Sequence, residues 1–376
     1  MLKATRDQVL AWRLRQQGLT PRTMSTVAEL AERLAGVQAQ VASSAELAIA
    51  TRQRKPRAGA VEKALADRTV VKTWSMRGTL HLLVPEQMAA FQSLLAAART
   101  WEKPSWQRSF GVTPDQMERL GDAVDELLDG GRAMSRAELT EAIIAMPGYG
   151  DLREQLTSGW GTVLKPLAWT GHLCHGSGEG NRTAFVSPRS HVPGWTGVPE
   201  PEEAARVAVP AYLRAHGPAT AEAFDAWLIR GLTRKADMRA RFASLGDRLT
   251  EVDVDGDGER AYLLAEDADG LARTKPSKEV RLLAGFDQYV LGPGTADTRL
   301  IAADRRKAVS RTAGWISPVV VHEGRVAGVW DFTDDGTVDV RLFAESGAVP
   351  KAALEAEVAH LAACTGRGLE LSVRTV

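Results

Sequence analysis

A supersecondary pattern that recurs three times constrains the fold of this chain more than any other feature of its sequence. In each copy, one or two helices lead through a turn into another helix, and two strands around a second turn follow. The copies are spaced by roughly 90 residues, although little residue identity links them. A helix-turn-helix followed by a β ribbon is the winged-helix arrangement, in which the ribbon is the wing. The sequence therefore predicts an α+β protein with three tandem winged-helix motifs.

The first copy is assigned to residues 1–110. The segment TVVKTWSMRGTLHLL is rich in β-branched and aromatic residues and predicts a hairpin, with strands 69–74 and 79–84 joined at Arg77–Gly78. Its predicted helices lie near 5–17, 26–35, 44–53 and 59–66.

The second copy, 111–200, contains TPDQMERLGDAVDELLDGGRAMSRAELTEAI, in which Ser135 and Glu138 form a capping box. Its ribbon is GHLCHGSGEGNRTAFVSP, with a glycine-rich turn. The third copy, 201–274, contains EEAARVAVPAYLRAHGPATAEAFDAWL and the ribbon LTEVDVDGDGERAYLLAED.

The last part of the chain, 275–376, has a different pattern. EVRLLAGFDQYVLG, SPVVVHEGRVAGVWDF and GTVDVRLFA predict strands with turns. An amphipathic helix near 350–363 and a final strand, GLELSVRTV, follow. We expect a small β-barrel or sheet that braces the winged helices.

Charge argues mildly against a nucleic-acid binder, because 47 basic and 47 acidic residues give a formal net charge of zero. The charges are not evenly spread, however, and a neutral protein can carry a basic face. The alternative for each basic cluster is a solvated helix end. One cluster comprises Arg52, Arg54, Lys55 and Arg57, and the other comprises Arg305, Arg306, Lys307 and Arg311.

The N-terminal segment has no signal-peptide pattern, and no apolar run approaches the roughly 20 residues needed to span a bilayer. Cys174 and Cys364 favour free thiols in a reducing cytoplasm, with a single disulfide as the alternative. We therefore expect a cytoplasmic protein without a membrane partner.

Two segments resemble metal sites, but neither predicts a metal. DVDGDGERAYLL places Asp253, Asp255 and Asp257 as in a calcium loop, yet position twelve is Leu264 rather than glutamate, so we interpret it as a wing turn. GHLCHG offers His172, Cys174 and His175 without a second set of ligands nearby, which favours a wing strand. The chain also lacks a GxSxG elbow, a P-loop and a Rossmann fingerprint. We predict neither metal nor cofactor.

Gln38 and Gln40 lie within an apolar stretch of AGVQAQVASSAELAIATRQRKPR, at positions where Val or Leu would be expected in a core. Gly36 marks a helix stop before them. The flanking helices are predicted from two capping boxes, Thr26 with Glu29 and Ser43 with Glu46.

This position decides whether the two amides can cooperate. In a helix, residues two apart point about 200° apart, whereas in an extended link they point the same way. The two glutamines therefore converge only if they lie between helices. The alternative is that both amides bond backbone groups at a helix end.

VQAQ, WSMRGTLHLL, AHGPATAEAFDAWL, LLAGFDQYVLG and SPVVVHEGRVAGVW, in this order, resemble the winged-helix family that includes the AlkZ-type bacterial DNA glycosylases. The resemblance runs over nearly the whole chain. It implies three winged helices and a C-terminal β domain in a C shape around DNA. It also implies base excision repair of bulky alkylated purines and interstrand crosslinks, as self-resistance to an antibiotic.

The family's Gln-hydrophobic-Gln signature falls on Gln38, Ala39 and Gln40, so the resemblance implies that both glutamines are catalytic. An N7-alkylated guanine already carries positive charge and leaves without a general acid. The amide oxygens would then position a water, although a neutral amide is too weak a base to deprotonate it alone.

The partner implied is double-stranded DNA with alkylated or crosslinked purines, bound by a monomer near the nucleoid. Arg52, Arg54, Lys55 and Arg57 are expected to contact phosphates. Arg77 and His81 lie on or near the first wing and are candidates for DNA binding, with a structural role as the alternative for each.

A different class of function stays open. The chain could be a non-catalytic winged-helix protein, such as a transcription factor, a genotoxin-sequestering protein or an architectural protein. Zero net charge and the lack of a carboxylate motif favour this reading. Repressors of this kind usually dimerise on palindromic sites, whereas three winged helices in one chain make a dimer unnecessary.

Overall fold

Side-chain caps set many helix starts in the computed structural model. At Thr5, Thr26, Thr113 and Ser135, the hydroxyl accepts from the backbone three residues on, and the Gln or Glu there bonds back. The predicted boxes at Thr26 and Ser135 are confirmed. The structure describes residues 1–158, 161–177, 183–256 and 258–376.

The first region begins with a short strand and alternates helices with three further strands. The predicted hairpin is present, with its two strands paired antiparallel. In chain order the elements are β1 (Leu2–Ala4), α1 (Arg6–Gln16), α2 (Val27–Arg33), β2 (Val37–Gln38), α3 (Ala42–Ala50), α4 (Ala60–Ala66), β3 (Val71–Trp74), β4 (Leu80–Leu83), α5 (Pro85–Ala96) and α6 (Pro104–Phe110).

The predicted capping box at Ser43 is wrong. α3 begins at Ala42, and Val41 precedes it without a side-chain cap. The Glu46 carboxylate instead accepts the backbone N–H groups of Ala60 and Val61, at 2.9 and 3.1 Å. Glu46 therefore caps α4, because its position on α3 directs it at the next helix rather than back along its own.

The second region supplies five helices and the second ribbon. They are α7 (Pro114–Leu127), α8 (Arg136–Ile144), α9 (Arg153–Thr157), α10 (Leu164–Trp169), β5 (Cys174–Ser177), β6 (Thr183–Val186) and α11 (Pro188–His191). The predicted glycine-rich turn, at 178–182, lies outside the described residues.

The first two ribbons form one sheet instead of standing as separate wings. Its strand order is β2-β4-β3-β5-β6, and Lys72 on β3 pairs with His175 on β5. Pairing these strands removes two edges that would otherwise expose unsatisfied backbone groups. The sequence boundary near residue 110 is therefore not a break in the sheet.

The third region contains α12 (Pro201–His216), α13 (Ala221–Ile229), α14 (Lys235–Ala243), β7 (Leu249–Val254), β8 (Ala261–Leu264) and α15 (Ala268–Ala272). β7 also pairs in parallel with β1, so the N-terminus completes this ribbon. At its turn, the Asp255 carboxylate accepts the backbone N–H of Arg6 at 2.9 Å, which agrees with a turn in this segment. Asp257 lies outside the described residues.

The last region is a five-stranded sheet of order β13-β12-β11-β10-β9, with one long helix against it. Its elements are β9 (Val280–Leu283), α16 (Gln288–Leu291), α17 (Arg306–Val309), β10 (Val319–His322), β11 (Arg325–Phe332), β12 (Thr337–Leu342), α18 (Lys351–Thr365) and β13 (Glu370–Thr375). Of the two predicted forms, the structure has the sheet.

No helix in the described ranges is long and apolar enough to cross a bilayer. Cys174 and Cys364 are both buried and unpaired. Within the described part of the chain, no three His, Cys, Asp or Glu side chains group as metal ligands.

Candidate active site

The two glutamines lie between helices, as predicted. Gln38 ends β2, and α3 starts only at Ala42. β2 is held at the edge of the first sheet by β4, where Gln38 pairs with His81 and the Ala39 N–H donates to the Leu80 carbonyl at 2.7 Å. Gly36, with φ +98°, makes the turn from α2, and a Cβ there would come within 2.7 Å of Leu83. Only glycine therefore fits this entry to the strand.

Gln38 belongs to a buried polar row that crosses the sheet. Gln38 pairs with His81, and His81 pairs on its other side with Thr73. Directly opposed residues point to the same face of a sheet, so the three side chains are neighbours. Gln92, on α5 beneath that face, donates to the Thr73 hydroxyl at 3.2 Å. This row links the glutamine to the protein interior.

Three acceptor atoms in the row have no donor among the described residues: Gln38 Oε1, His81 Nε2 and Gln92 Oε1. His81 Nδ1 lies 3.0 Å from the Thr79 carbonyl, which requires the proton on Nδ1 and leaves Nε2 as an acceptor. Burial, with Arg77 nearby, lowers the pKa of His81 to about 3, so the ring stays neutral. A buried acceptor without a donor costs about 1–3 kcal/mol, and a water molecule is its usual partner.

Gln40 is exposed, whereas Gln38 is buried, with 6 % of its surface exposed. Its Oε1 accepts the Leu80 backbone N–H at 3.3 Å, so the same residue of β4 bonds both Ala39 and Gln40. This bond restrains the amide and leaves a second lone pair on Oε1. The alternative reading, in which an amide satisfies a backbone group, is therefore true of Gln40 Oε1 but not of Gln38 Oε1.

Arg77 and His81 are both directed inward. His81 is fully buried, which contradicts the prediction that it contacts DNA. Arg77, with φ +57°, makes the turn of the hairpin, and its Nη1 donates to the Trp227 carbonyl at 2.9 Å. Its Nη2 is shielded from solvent and has no acceptor within the described ranges. Burial first, then Arg230, lowers the pKa of Arg77 to about 10.

The profile of the family described as DNA glycosylase AlkZ-like matches residues 31–364. A relative from Streptomyces sahachiroi, an interstrand DNA cross-link repair glycosylase, is 48% identical over 366 residues, which span 97% of this chain and 98% of the relative. The solved structure of the Streptomyces sahachiroi DNA glycosylase AlkZ superposes with a TM-score of 0.95, at 48% identity and 100% coverage of both chains.

The chain belongs to the AlkZ-like DNA glycosylase family.

An AlkZ-like glycosylase hydrolyses N-glycosyl bonds and binds DNA, so basic residues near the glutamines are candidates for phosphate contacts. Arg52 is not available to DNA. Its side chain is fully buried and forms a bidentate ion pair with Asp287, with both N–O distances 2.7 Å. It also donates to the carbonyls of Gln17 and Ala48, at 3.0 and 2.7 Å. The prediction that Arg52 contacts phosphate is wrong, because the C-terminal region supplies a buried carboxylate for it.

Arg54, Lys55 and Arg57 are exposed in the link between α3 and α4. Of these three side chains, Arg54 alone makes a hydrogen bond to another described residue, from Nε to the Arg22 carbonyl at 3.1 Å. These three cations are thus separated from Arg52, although the four residues are close in sequence. In the second predicted cluster, Arg305 forms an ion pair with Glu345, with N–O distances of 2.6 and 2.7 Å. This pair neutralises one of the four positive charges of that cluster.

Sequence reasoning missed Thr73 and Gln92, the partners that complete the buried row. Neither has a motif of its own, since Gln92 lies mid-helix and Thr73 is an ordinary strand residue. The alternation of β3 against β4 gave some signal for Thr73. Nothing in the sequence indicated that α5 would direct Gln92 at it.

Proposed function

We propose that Gln38 and Gln40 are the catalytic residues of this glycosylase and that it excises bulky N7-alkylated guanines, including those in interstrand crosslinks. The observation that carries the proposal is the Gln38 Oε1 atom, a buried acceptor on a non-helical edge strand for which the described part of the chain supplies no donor. The relative from Streptomyces sahachiroi is named for crosslink repair, which supports the substrate class. Self-resistance to a DNA-alkylating natural product is the biological role that fits.

The protein does not need to protonate the leaving base. An N7-alkylguanine is cationic, so when the bond from its N9 to the sugar C1′ breaks, it departs as a neutral base without an acid. The sugar becomes an oxocarbenium-like cation, and a water adds to C1′ and then gives its proton to solvent. Amide oxygens aimed at that water and that cation act by position and preorganised dipoles. Such a site discriminates against neutral bases, whose departure needs protonation.

DNA is held by the winged-helix units in this proposal, with the chain as a monomer that curves around the duplex. Arg54, Lys55 and Arg57 contact phosphates, because they are exposed and follow the helix next to the glutamines. A bulky crosslink cannot be flipped into a snug pocket, so the lesion is engaged from a groove.

Base release tests the proposal. Purified protein is incubated with a duplex that carries one N7-alkylguanine, and alkaline heating then cleaves the strand at any abasic site. We expect wild-type protein to give cleavage and Gln38→Ala/Gln40→Ala to lose on the order of 10²-fold or more in single-turnover rate. The double variant should bind the same duplex and melt close to wild type, since few hydrogen bonds are removed.

Gln107→Ala is the matched control, because that amide also makes one bond to the backbone, to the Glu102 carbonyl at 2.8 Å. It should retain full activity. Tight binding without cleavage of simple, bulky or crosslinked adducts would instead support a non-catalytic binder. Loss of both folding and activity in the glutamine variant would make the two residues structural.

A further inference from the structure

We propose that Lys165 and Arg230, supported by Arg77 and Arg136, form a phosphate-binding cradle for the DNA backbone beside the glutamines. DNA as the partner follows from the family. The inference rests on the proposed function only for the position of the lesion relative to this cradle.

The four cations come from four separate elements and meet at the turn between β3 and β4. Arg77 is in that turn, and Arg230, the residue after α13, donates from Nη2 to the Arg77 carbonyl at 3.2 Å. Lys165, on α10, has its Cδ and Nζ 3.4 Å from where a Cβ on Gly78 would stand. The same hairpin continues to Leu80, whose N–H donates to Gln40. The cradle and the glutamines therefore share one rigid β ribbon.

Arg136 completes the group from the first turn of α8. Its guanidinium lies 5.7 Å from the ring centre of Trp74 and 5.6 Å from that of Phe185, in cation–π geometry. It also donates to the Ser158 carbonyl at 2.6 Å. These contacts hold the charge in place without neutralising it.

Within the described residues, none of the four cations has a carboxylate within 4.0 Å. The polar partners of the three arginines are backbone carbonyls, which carry no net charge. Burial, then Arg230 and Arg136, lowers the pKa of Lys165, so this amine is both partly desolvated and repelled by its neighbours. Three of the four buried arginines in the described residues do pair with acids, Arg13 with Asp297, Arg52 with Asp287 and Arg281 with Glu357; the fourth, Arg241, does not.

Uncompensated charge of this kind destabilises the fold, and a bound polyanion would relieve it. The carbonyl bonds and the aromatic contacts fix the three arginines before binding, so these side chains lose little entropy when phosphates arrive. Arg230 is exposed and Lys165 is half-buried, so both can reach a strand that lies across the hairpin. Arg77 and Arg136 act mainly through their charge, and the Arg77 carbonyl also holds Arg230 in position.

The test is the salt dependence of binding to an undamaged duplex, which does not require base release. Each phosphate contact contributes about −0.9 to the slope of log K against log salt. For Lys165→Gln/Arg230→Gln we expect the slope to become less negative by about 2, with an unchanged or higher melting temperature. In single-turnover excision, the protein concentration for half-maximal rate should rise, while the rate at saturation stays near wild type.

Lys275→Gln/Lys278→Gln is the charge-matched control, since both lysines are exposed and lie in the link between α15 and β9. A slope shift in the cradle variant no larger than in this control would overturn the inference. If the slope shifts but wild-type protein releases no base, the cradle stands and the proposed catalytic role fails. If base release is intact and the slope is unchanged, the cradle fails alone.

Discussion

At the residue scale, Arg52 shows how one side chain changes role when its partner is known. It stands in a basic run, yet its guanidinium bonds Asp287 and two backbone carbonyls inside the protein. Asp287 belongs to the C-terminal region, where it also accepts the Tyr289 N–H at 2.8 Å. Arg52 follows α3 and bonds both Asp287 and the Gln17 carbonyl at the end of α1, so the ion pair ties these two helices to the C-terminal region. A buried, bidentate pair of this kind is a structural junction.

We expect Arg52→Ala to destabilise the protein by about 3–5 kcal/mol, because the Asp287 carboxylate is left buried and unpaired. Arg52→Lys should recover only part of this, since an ammonium cannot make the planar two-bond contact. Urea denaturation measures both. Arg54→Ala, an exposed neighbour, should leave stability within about 0.5 kcal/mol. If Arg52→Ala were stable but bound DNA more weakly, Arg52 would be a phosphate contact after all.

At the element scale, the start of α4 depends on a residue of a different helix. Gly59 precedes α4 in a left-handed conformation and offers no side-chain cap. The Glu46 carboxylate takes that place, and negative charge is favourable at a helix N-terminus. The link that holds Arg54, Lys55 and Arg57 lies between the two helices, so this contact also limits where those cations can go.

Glu46→Ala should cost about 1–2 kcal/mol, since two helix N–H groups lose their acceptor. Amide hydrogen exchange in α4 and its preceding link should rise, with little change in the C-terminal sheet. Ser43→Ala should change neither, because Ser43 is not a cap. If Ser43→Ala lowered the free energy of unfolding more than Glu46→Ala, the capping box predicted from the sequence would be correct.

At the scale of the whole molecule, three buried histidines make the fold sensitive to acid. Burial lowers the pKa of each of His81, His175 and His216 to about 3. The unfolded chain takes up these protons near the ordinary value of about 6.5, and the folded chain does not. Stability is therefore fully present above pH 6.5 and declines as the pH falls toward 3.

For three protons the slope approaches roughly 4 kcal/mol per pH unit, at about 1.4 kcal/mol for each. Denaturant titrations between pH 7.5 and 5.0 measure it. His175→Asn should lower the slope by about 1.4 kcal/mol per pH unit, whatever its effect on stability at neutral pH. Stability that does not change down to pH 5.0 would mean that the histidines are charged in the folded state.

The features that the sequence determined by itself depend on contacts between residues close together in the chain. The capping boxes at Thr26 and Ser135, the β-branched strands around Arg77 and the glycine at 36 act on neighbours a few residues away, so helices, ribbons and the non-helical place of Gln38 were predictable. The family, too, was legible from ordered motifs along the chain.

Only the tertiary structure decided which distant groups meet. The joining of two ribbons in one sheet, the capture of Arg52 by Asp287, the row from Gln38 to Gln92 and the gathering of Lys165 with Arg230 all link segments far apart in sequence. Such contacts depend on how layers pack and on which polar partners burial leaves within reach. Residue type and spacing do not encode that choice, because the same arginine suits a phosphate in water and a carboxylate in a core.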